Sequence, residues 1–290
     1  MRKKRTGVTQ QDVQRWVKAW KNDCLKKNRS FTSIADVPSR GRASEGSVTI
    51  ECDKTIVKHS DLEYNFCLLV RFHPRTTNLE TQVPLIDMDN EVLPQTPTIE
   101  IEKAMDIKEA RFRGSKTNWI YTEDALITQS DDGQDIKLAR SMKYLKDLVF
   151  FENDSDTIKQ NKKRTWELLN VQKVYFESKG INWKIITERS INRNVIDNIE
   201  RFDRYLEKST YSNDEFDLAL TCFEAECKRA KHNEELQEML SNISAYSGIP
   251  YKDTVSIFWQ LCWYKKITFD LRKERLEMNS IINPATFFKT

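Results

Sequence analysis

Between residues 119 and 143 the chain reads as two apolar-rich strands about the turn Ser130-Asp131-Asp132-Gly133-Gln134-Asp135. An Asp-Gly pair is the strongest short hairpin signal, because the two central residues of such a turn need positive φ. With Asp132-Gly133 as that turn, Asp131 faces Gln134, and counting back along the ladder sets Asp124 opposite Ser141, with Lys143 on its diagonal. Side chains alternate faces along a strand, so Asp124, Ser141 and Lys143 are expected on one face, ~5 Å apart across the strands and ~7 Å on the diagonal. A carboxylate and an ammonium converge there. The same pattern also describes an ordinary surface hairpin, in which a cross-strand ion pair contributes little.

Helical spacing governs much of the remainder. Val13, Trp16, Val17 and Trp20 recur along one face of residues 9–28, with Thr9 as N-cap. Lys18, Lys21, Lys26 and Lys27 fall on the outer face and are read as solvated. Two short β-prone runs, 48–52 and 55–58, lead to Ser60-Asp61-Leu62-Glu63 and an apolar helical segment over 64–72, with Leu62, Phe66, Leu69 and Val70 on one face. Pro94 and Pro97 argue against a central strand in 85–118, which is read as a loop with a short charged helix inside 99–113. The helical period returns over 157–179, where Trp166, Leu169, Lys173 and Phe176 hold inward or flanking positions and Gly180 closes the helix, and an apolar strand follows over 182–187. Strand, long helix, strand is a crossover unit, so the fold class expected is α/β with a mixed sheet.

A closing helix over 195–206 and a polar linker over 208–213 suggest a domain boundary, giving domains 1–206 and 207–290. The second reads as helices over 214–230, 234–246 and 252–265, a Gly248-containing turn before the last of them, and a strand over 267–270. That order is a winged-helix pattern. Its third helix carries Val255, Ile257, Phe258, Trp259, Leu261, Trp263 and Tyr264, apolar on several sides. A base-reading helix shows a polar face, so a partner-docking role is expected instead.

Composition narrows the function. A chain of 290 residues with 39% hydrophobic content is long enough for two cores, and 31% charged residues leave a net charge of only +3. Affinity for nucleic acid must then come from local patches. Lys159, Lys162, Lys163 and Arg164 on the first turns of the helix after the hairpin form one such patch, Arg111, Arg113 and Lys116 another, and the opening Met1-Arg2-Lys3-Lys4-Arg5 a third. Each stands against the alternative of a solvated surface. Six cysteines show no Cys-x-x-Cys pair and the three histidines are scattered, so no structural metal is expected. The chain opens without an apolar signal core, and no run approaches membrane-spanning length. Neither export nor insertion is expected, and the setting is cytosolic with reduced thiols. A Ser-His-Asp set and a P-loop are both missing, which removes acyl transfer and nucleotide hydrolysis.

Two readings stand for Glu63. Ser-x-x-Glu before an apolar run is a capping box, in which the glutamate turns back on the helix start. The other reading makes it a first acid that joins Asp124 and Lys143, since an acid on one strand and x-x-Lys late on the next form the skeleton of a PD-(D/E)xK nuclease core.

Further motifs fall in register with that skeleton: Pro38-Ser39-x-Gly41-Arg42, Ser60-Asp61-Leu62-Glu63, Gln82-x-Pro84-Leu85, Ala139-x-x-x-Lys143, then Tyr175, Ile181-x-Trp183 and Thr187 to Ile191-Asn192. In order and spacing they resemble the TnsA family of transposon endonucleases, over roughly 37–205. The resemblance implies a PD-(D/E)xK restriction-endonuclease-like core and a metal-dependent subunit of a heteromeric transposase, cutting the non-transferred strand at the 5′ ends of the element. It implies Glu63, Asp124 and Lys143 as catalytic residues, with Mg²⁺ or Mn²⁺ held by Glu63, Asp124 and Ser141. Position 141 departs from the pattern, the family having Gln there and the wider superfamily Asp or Glu. Double-stranded transposon-end DNA, a TnsB-type transposase subunit and a TnsC-type ATPase regulator, the last through the C-terminal domain, are the implied partners, in a bacterial cytoplasm. A catalytically silent nuclease-fold scaffold and a winged-helix regulator are the rival classes.

Overall fold

A computed structural model describes residues 6–24, 30–32, 44–48, 54–89, 93–206, 211–229, 233–284 and 287. The opening basic run, the 37–42 motif and residues 49–52 of the first expected strand lie outside the described residues. The chain divides into two compact units, residues 1–190 and 191–290.

The first unit begins with α1 (Gln10–Ala19), capped as expected: Asp12 N donates to Thr9 Oγ1 and Thr9 N to Asp12 Oδ2, a reciprocal pair that satisfies amides the helix itself leaves open. Its apolar stripe, Val13, Trp16, Val17 and Trp20, is buried with Val8, Phe31, Ile86, Phe112 and Ile120. Strands β1 (Ser44–Val48) and β2 (Lys54–Lys58) pair antiparallel. Ser60 then caps α2 (Asp61–Phe72), whose buried side chains are Leu62, Glu63, Cys67, Leu68 and Val70.

The central sheet has the order β3-β4-β5-β6, built from Thr76–Pro84, Thr122–Asp131, Gln134–Met142 and Asn182–Ile186. The first two junctions are antiparallel and the last is parallel. The hairpin takes the expected register, Asp131 against Gln134, and Asp132 and Gly133 have φ of 49° and 82°, the double left-handed turn that Asp-Gly favours. The segment forming β3 carries no clean alternation, so sequence reading gives no strand there. It is an edge strand, where Pro84 at its end costs no ladder bond.

The loop before the hairpin holds α3 (Thr96–Ala104), which starts earlier than expected because Pro97 fits the first turn of a helix, where an amide proton has no partner to lose. Its buried Glu102 accepts from Ala110 N at 2.7 Å and Tyr121 OH at 2.6 Å. The crossover helix α4 (Asp156–Glu177) packs Leu169, Val171, Tyr175 and Phe176 against Tyr121, Ala139, Leu148 and Trp183, and Gly180 ends it with φ 69°. A crossover helix between the parallel pair β5 and β6 is what the pattern of strand, helix, strand predicts.

The second unit contains α5 (Arg193–Leu206), α6 (Asn213–Arg229), α7 (Leu236–Ser247) and α8 (Tyr251–Trp263). The boundary expected after residue 206 falls one helix late, because α5 packs on α8: Phe202 stacks on Trp259 at 5.8 Å, and Asn198 bonds the backbone of Leu271, Glu274 and Leu276. The wing strand expected over 267–270 does not form. Thr268 N donates to Phe287 O instead, and among the described residues the unit's ladder is β7 (Glu234–Glu235) with β8 (Ile281–Ile282). Along α8 nearly every side chain from Thr254 to Trp263 is buried, which is why it reads as apolar all round. No described helix is long and apolar enough to cross a membrane.

Candidate active site

Three elements meet at one point of the first unit. The start of α2 brings Glu63, β4 brings Asp124, and the end of β5 brings Lys143. Asp124 Oδ2 accepts from Met142 N at 2.7 Å and from Lys143 Nζ at 3.3 Å. Lys143 Nζ also donates to Met142 O at 3.0 Å, so the ammonium lies between an anionic oxygen and a carbonyl. Gln82 Nε2 donates to Asp124 Oδ1 at 3.4 Å and to Glu63 Oε2 at 3.3 Å, tying the two acids together.

The capping geometry of Glu63 and its nearness to Asp124 coexist. Its Oε1 accepts from Ser60 Oγ and its Oε2 from His59 N, each at 3.0 Å, while Glu63 N donates to Ser60 Oγ. The cap thus orients the carboxylate and leaves it beside Asp124. Burial first, and then the Asp124 charge, push the Glu63 carboxyl up to about 7. At Lys143 burial opposes the charged form, but attraction to Asp124, then Glu63 and Glu123, outweighs it and raises the ammonium above its ordinary range. These neighbouring carboxylates favour the charged form of the lysine.

Ser141 is placed differently from the expectation. Its hydroxyl is fully buried and donates to Glu123 Oε1 at 2.9 Å, with Gln172 Oε1 at 3.4 Å, rather than turning to Asp124 and Lys143. The cause is a break in the pleat of β4. Leu126 packs with Trp183 in the α4 cluster. Strict alternation therefore sends Glu123, three residues back, to the opposite face. Instead Glu123 Oε2 accepts from that same Trp183, at Nε1 and 3.3 Å, while Asp124 turns to Gln82 and Lys143. The ladder between β4 and β5 stops at Ala125 and Arg140, and Gln82, opposite Asp124 on β3, has a left-handed backbone with φ 53°. Glu123, wholly buried and pushed up to about 8 by burial and then by Asp124, is an acid that sequence reading missed. The available signal was an acid in phase with Ala125 and Ile127, where the period calls for an apolar side chain.

The basic candidates separate in the same way. Lys162 is 5% exposed, donating to Asp154 Oδ2 and Val149 O at 2.6 Å each and lying 4.7 Å from the Phe151 ring. Its charge holds the loop before α4 and is not presented to a phosphate, contrary to the expectation. Arg164 bonds Glu167 at 2.9 Å and lies 3.9 Å from Glu102. Arg111 pairs with Glu109 at 3.0 Å, while Lys116, Lys159 and Lys163 are exposed.

Among the described residues no group of three or more His, Cys, Asp and Glu side chains stands ready to hold a metal ion. The pair Glu63 and Asp124, with Met142 O close by, nonetheless presents only hard oxygen donors, the set that Mg²⁺ or Mn²⁺ takes while keeping waters in its other positions. The donor chemistry fits such an ion.

None of the curated proteins compared with this chain matches it. A family model, TnsA-like endonuclease N terminal, matches residues 75–188, a span that includes Gln82, Glu123, Asp124, Ser141 and Lys143 and leaves Glu63 just outside. Residues 75–188 of this chain are therefore similar to the N-terminal domain of TnsA-like endonucleases.

Proposed function

We propose that the protein is a divalent-metal-dependent DNA endonuclease acting as one subunit of a heteromeric transposase, and that it hydrolyses the non-transferred strand at the 5′ ends of the element. The observation that carries this reading is the meeting of Glu63 with Asp124 and Lys143, the last two inside the stretch similar to a TnsA-like endonuclease domain. The reaction adds water to phosphorus in line with the departing 3′ oxygen, breaking that P–O bond. Glu63 and Asp124 would hold Mg²⁺ or Mn²⁺, which supplies charge neutralisation at the phosphoryl oxygens and a more acidic water.

The chain's own residues supply the remainder. Lys143, kept charged by Asp124, donates toward the phosphoryl oxygen or the attacking water and favours the hydroxide form of that water. Asp124 fixes that ammonium and, through Met142 N, the end of β5. The cap at Ser60 and His59 fixes Glu63. Exposed Lys159 and Lys163 at the start of α4, and Lys116 in the loop before the hairpin, are the candidate phosphate contacts. A TnsB-type subunit cutting the other strand and a TnsC-type regulator docking on the second unit complete the proposal, in a bacterial cytoplasm.

Ser141 favours one rival, the silent scaffold, since its engagement with Glu123 leaves two carboxylates where the superfamily offers three. End-labelled duplexes carrying a transposon end, incubated with Mg²⁺ and the partner transposase, separate the two. The proposed reading gives a single break at the 5′ end of the non-transferred strand, whereas a break only in the transferred strand, or none with both subunits folded, overturns it.

A further inference from the structure

Gln82 lies within β3, flanked by the pairs of Thr81 with Ala125 and Val83 with Glu123, yet its φ is 53°. Non-glycine residues enter this left-handed region at a cost, and they persist there where the surroundings hold them. Its side chain is 4% exposed and fully engaged. The amide oxygen accepts from Thr122 Oγ1 at 3.2 Å and Thr32 Oγ1 at 3.3 Å, and the amide nitrogen donates to Glu63 and Asp124. Two hydroxyl donors at one end and two carboxylates at the other fix which end is which.

That arrangement has a chemical meaning. Two carboxylates held close together in a buried setting repel one another, and of the two the Lys143 ammonium bonds Asp124 alone. The two N–H bonds of an amide are the nearest that a neutral side chain comes to supplying positive charge between the pair, and hydrogen bonds to ionised acceptors are the stronger kind. A divalent ion seeks the same oxygens. The left-handed backbone of Gln82 and the placement of its amide between the two acids occur together.

We propose that Gln82 is a positioning residue that acts as a placeholder, its amide holding the Glu63 and Asp124 carboxylates together while no cation is bound and yielding those oxygens when one arrives. This rests on the metal-site reading above, and it adds a competition. Whatever stabilises the empty site must be displaced on loading, so removal of the amide destabilises the metal-free protein while leaving the loaded form nearly unchanged. Apparent metal affinity then rises.

The test is thermal unfolding of the full chain across a Mg²⁺ series and a Mn²⁺ series, for the parent, Gln82→Met and Gln82→Gly, with Asp124→Asn as control. Methionine keeps the length and removes the donors, and glycine accepts the positive φ, so one of the two serves if the other fails to fold. The expected result is a lower Tm than the parent without metal, a larger rise on adding it, and half-saturation at about tenfold lower metal, equivalent to ~1.4 kcal/mol. A purely structural role lowers Tm equally at every metal concentration, and that outcome overturns the placeholder alone. A parent that shows no metal-induced rise with either ion, like the Asp124→Asn control, overturns the metal site and the placeholder with it.

Discussion

At the scale of single residues, the buried acids make stability depend on pH in an unusual direction. Glu63 is raised to about 7 and Glu123 to about 8 from an ordinary value of 4.5, in both cases by burial first and Asp124 second. Between pH 4.5 and those values the folded chain holds protons that the unfolded chain has released, so stability falls as pH rises through this window. Below 4.5 both states are protonated and the contribution is complete. Glu123→Gln should remove much of the slope and stabilise the first unit by ~1–2 kcal/mol at pH 8, a conservative fraction of what a rise from 4.5 to about 8 represents at ~1.4 kcal/mol for each tenfold change in acidity. The amide can accept from Trp183 Nε1 and donate to Ser141 Oγ, whose proton then turns to Gln172. Chemical unfolding at pH 5 and pH 8 reads this directly, and a parent chain more stable at pH 8 than at pH 5 would reverse the sign. The sequence reveals these acids unevenly. Asp124 and Lys143 were legible because hairpin register follows from an Asp-Gly turn, and Glu63 because Ser-x-x-Glu fixes a helix start. The environments of Ser141 and Glu123 were not, since they depend on a break in the pleat of β4 opposite a Gln82 with positive φ, and no side-chain pattern announces either.

At the scale of elements, α4 shows how a cluster of lysines divides into structure and surface. Periodicity places the helix and its start correctly, and charge alone gives no way to tell Lys162 from its neighbours. The difference comes from the loop before it, where Asp154 and the Val149 carbonyl fold back on the first turns. Lys162→Ala removes a buried ammonium and leaves the Asp154 carboxylate and the Val149 carbonyl without that donor, so a measurable loss of stability is expected. Its effect on the salt dependence of DNA binding should be small. Lys159→Ala with Lys163→Ala should do the reverse, leaving stability within ~0.5 kcal/mol and lowering the slope of log affinity against log salt by about two units. Urea unfolding and salt titration of duplex binding measure the two arms, and a double variant with the parent's salt slope would move the DNA path off this helix. The missing wing has a comparable cause. Residues 267–270 have strand-forming composition, but β-propensity describes a side chain suited to a sheet surface, and no partner strand comes alongside among the described residues.

At the scale of the whole molecule, the division at residue 190 changes where the chain should be cut. The boundary expected at 206 strands α5 on the wrong fragment and uncovers Ile196, Ile199 and Phe202, each at most 1% exposed in the intact chain. Residues 1–190 are expected to be soluble and cooperatively folded, and residues 1–206 to aggregate or bind a hydrophobic dye, with size-exclusion chromatography of the two fragments as the check. A well-behaved 1–206 fragment beside an insoluble 1–190 would restore the boundary read from sequence. The apolar character of α8, from which partner docking was expected, is spent on packing within the second unit, so this helix presents neither an apolar docking face nor a base-reading one. All of this serves one central claim, that Glu63, Asp124 and Lys143 cut DNA with the aid of a divalent ion. The most direct test is cleavage of duplex DNA by the full chain and its partner transposase with Mg²⁺, run side by side for the parent, Asp124→Asn and Lys143→Met, with unfolding curves confirming that each is folded. The parent should nick the DNA only when the ion is present, and each variant should be at least ~100-fold slower. Folded variants that cut at the parent's rate, or a parent that cuts equally well in chelator, would contradict the account.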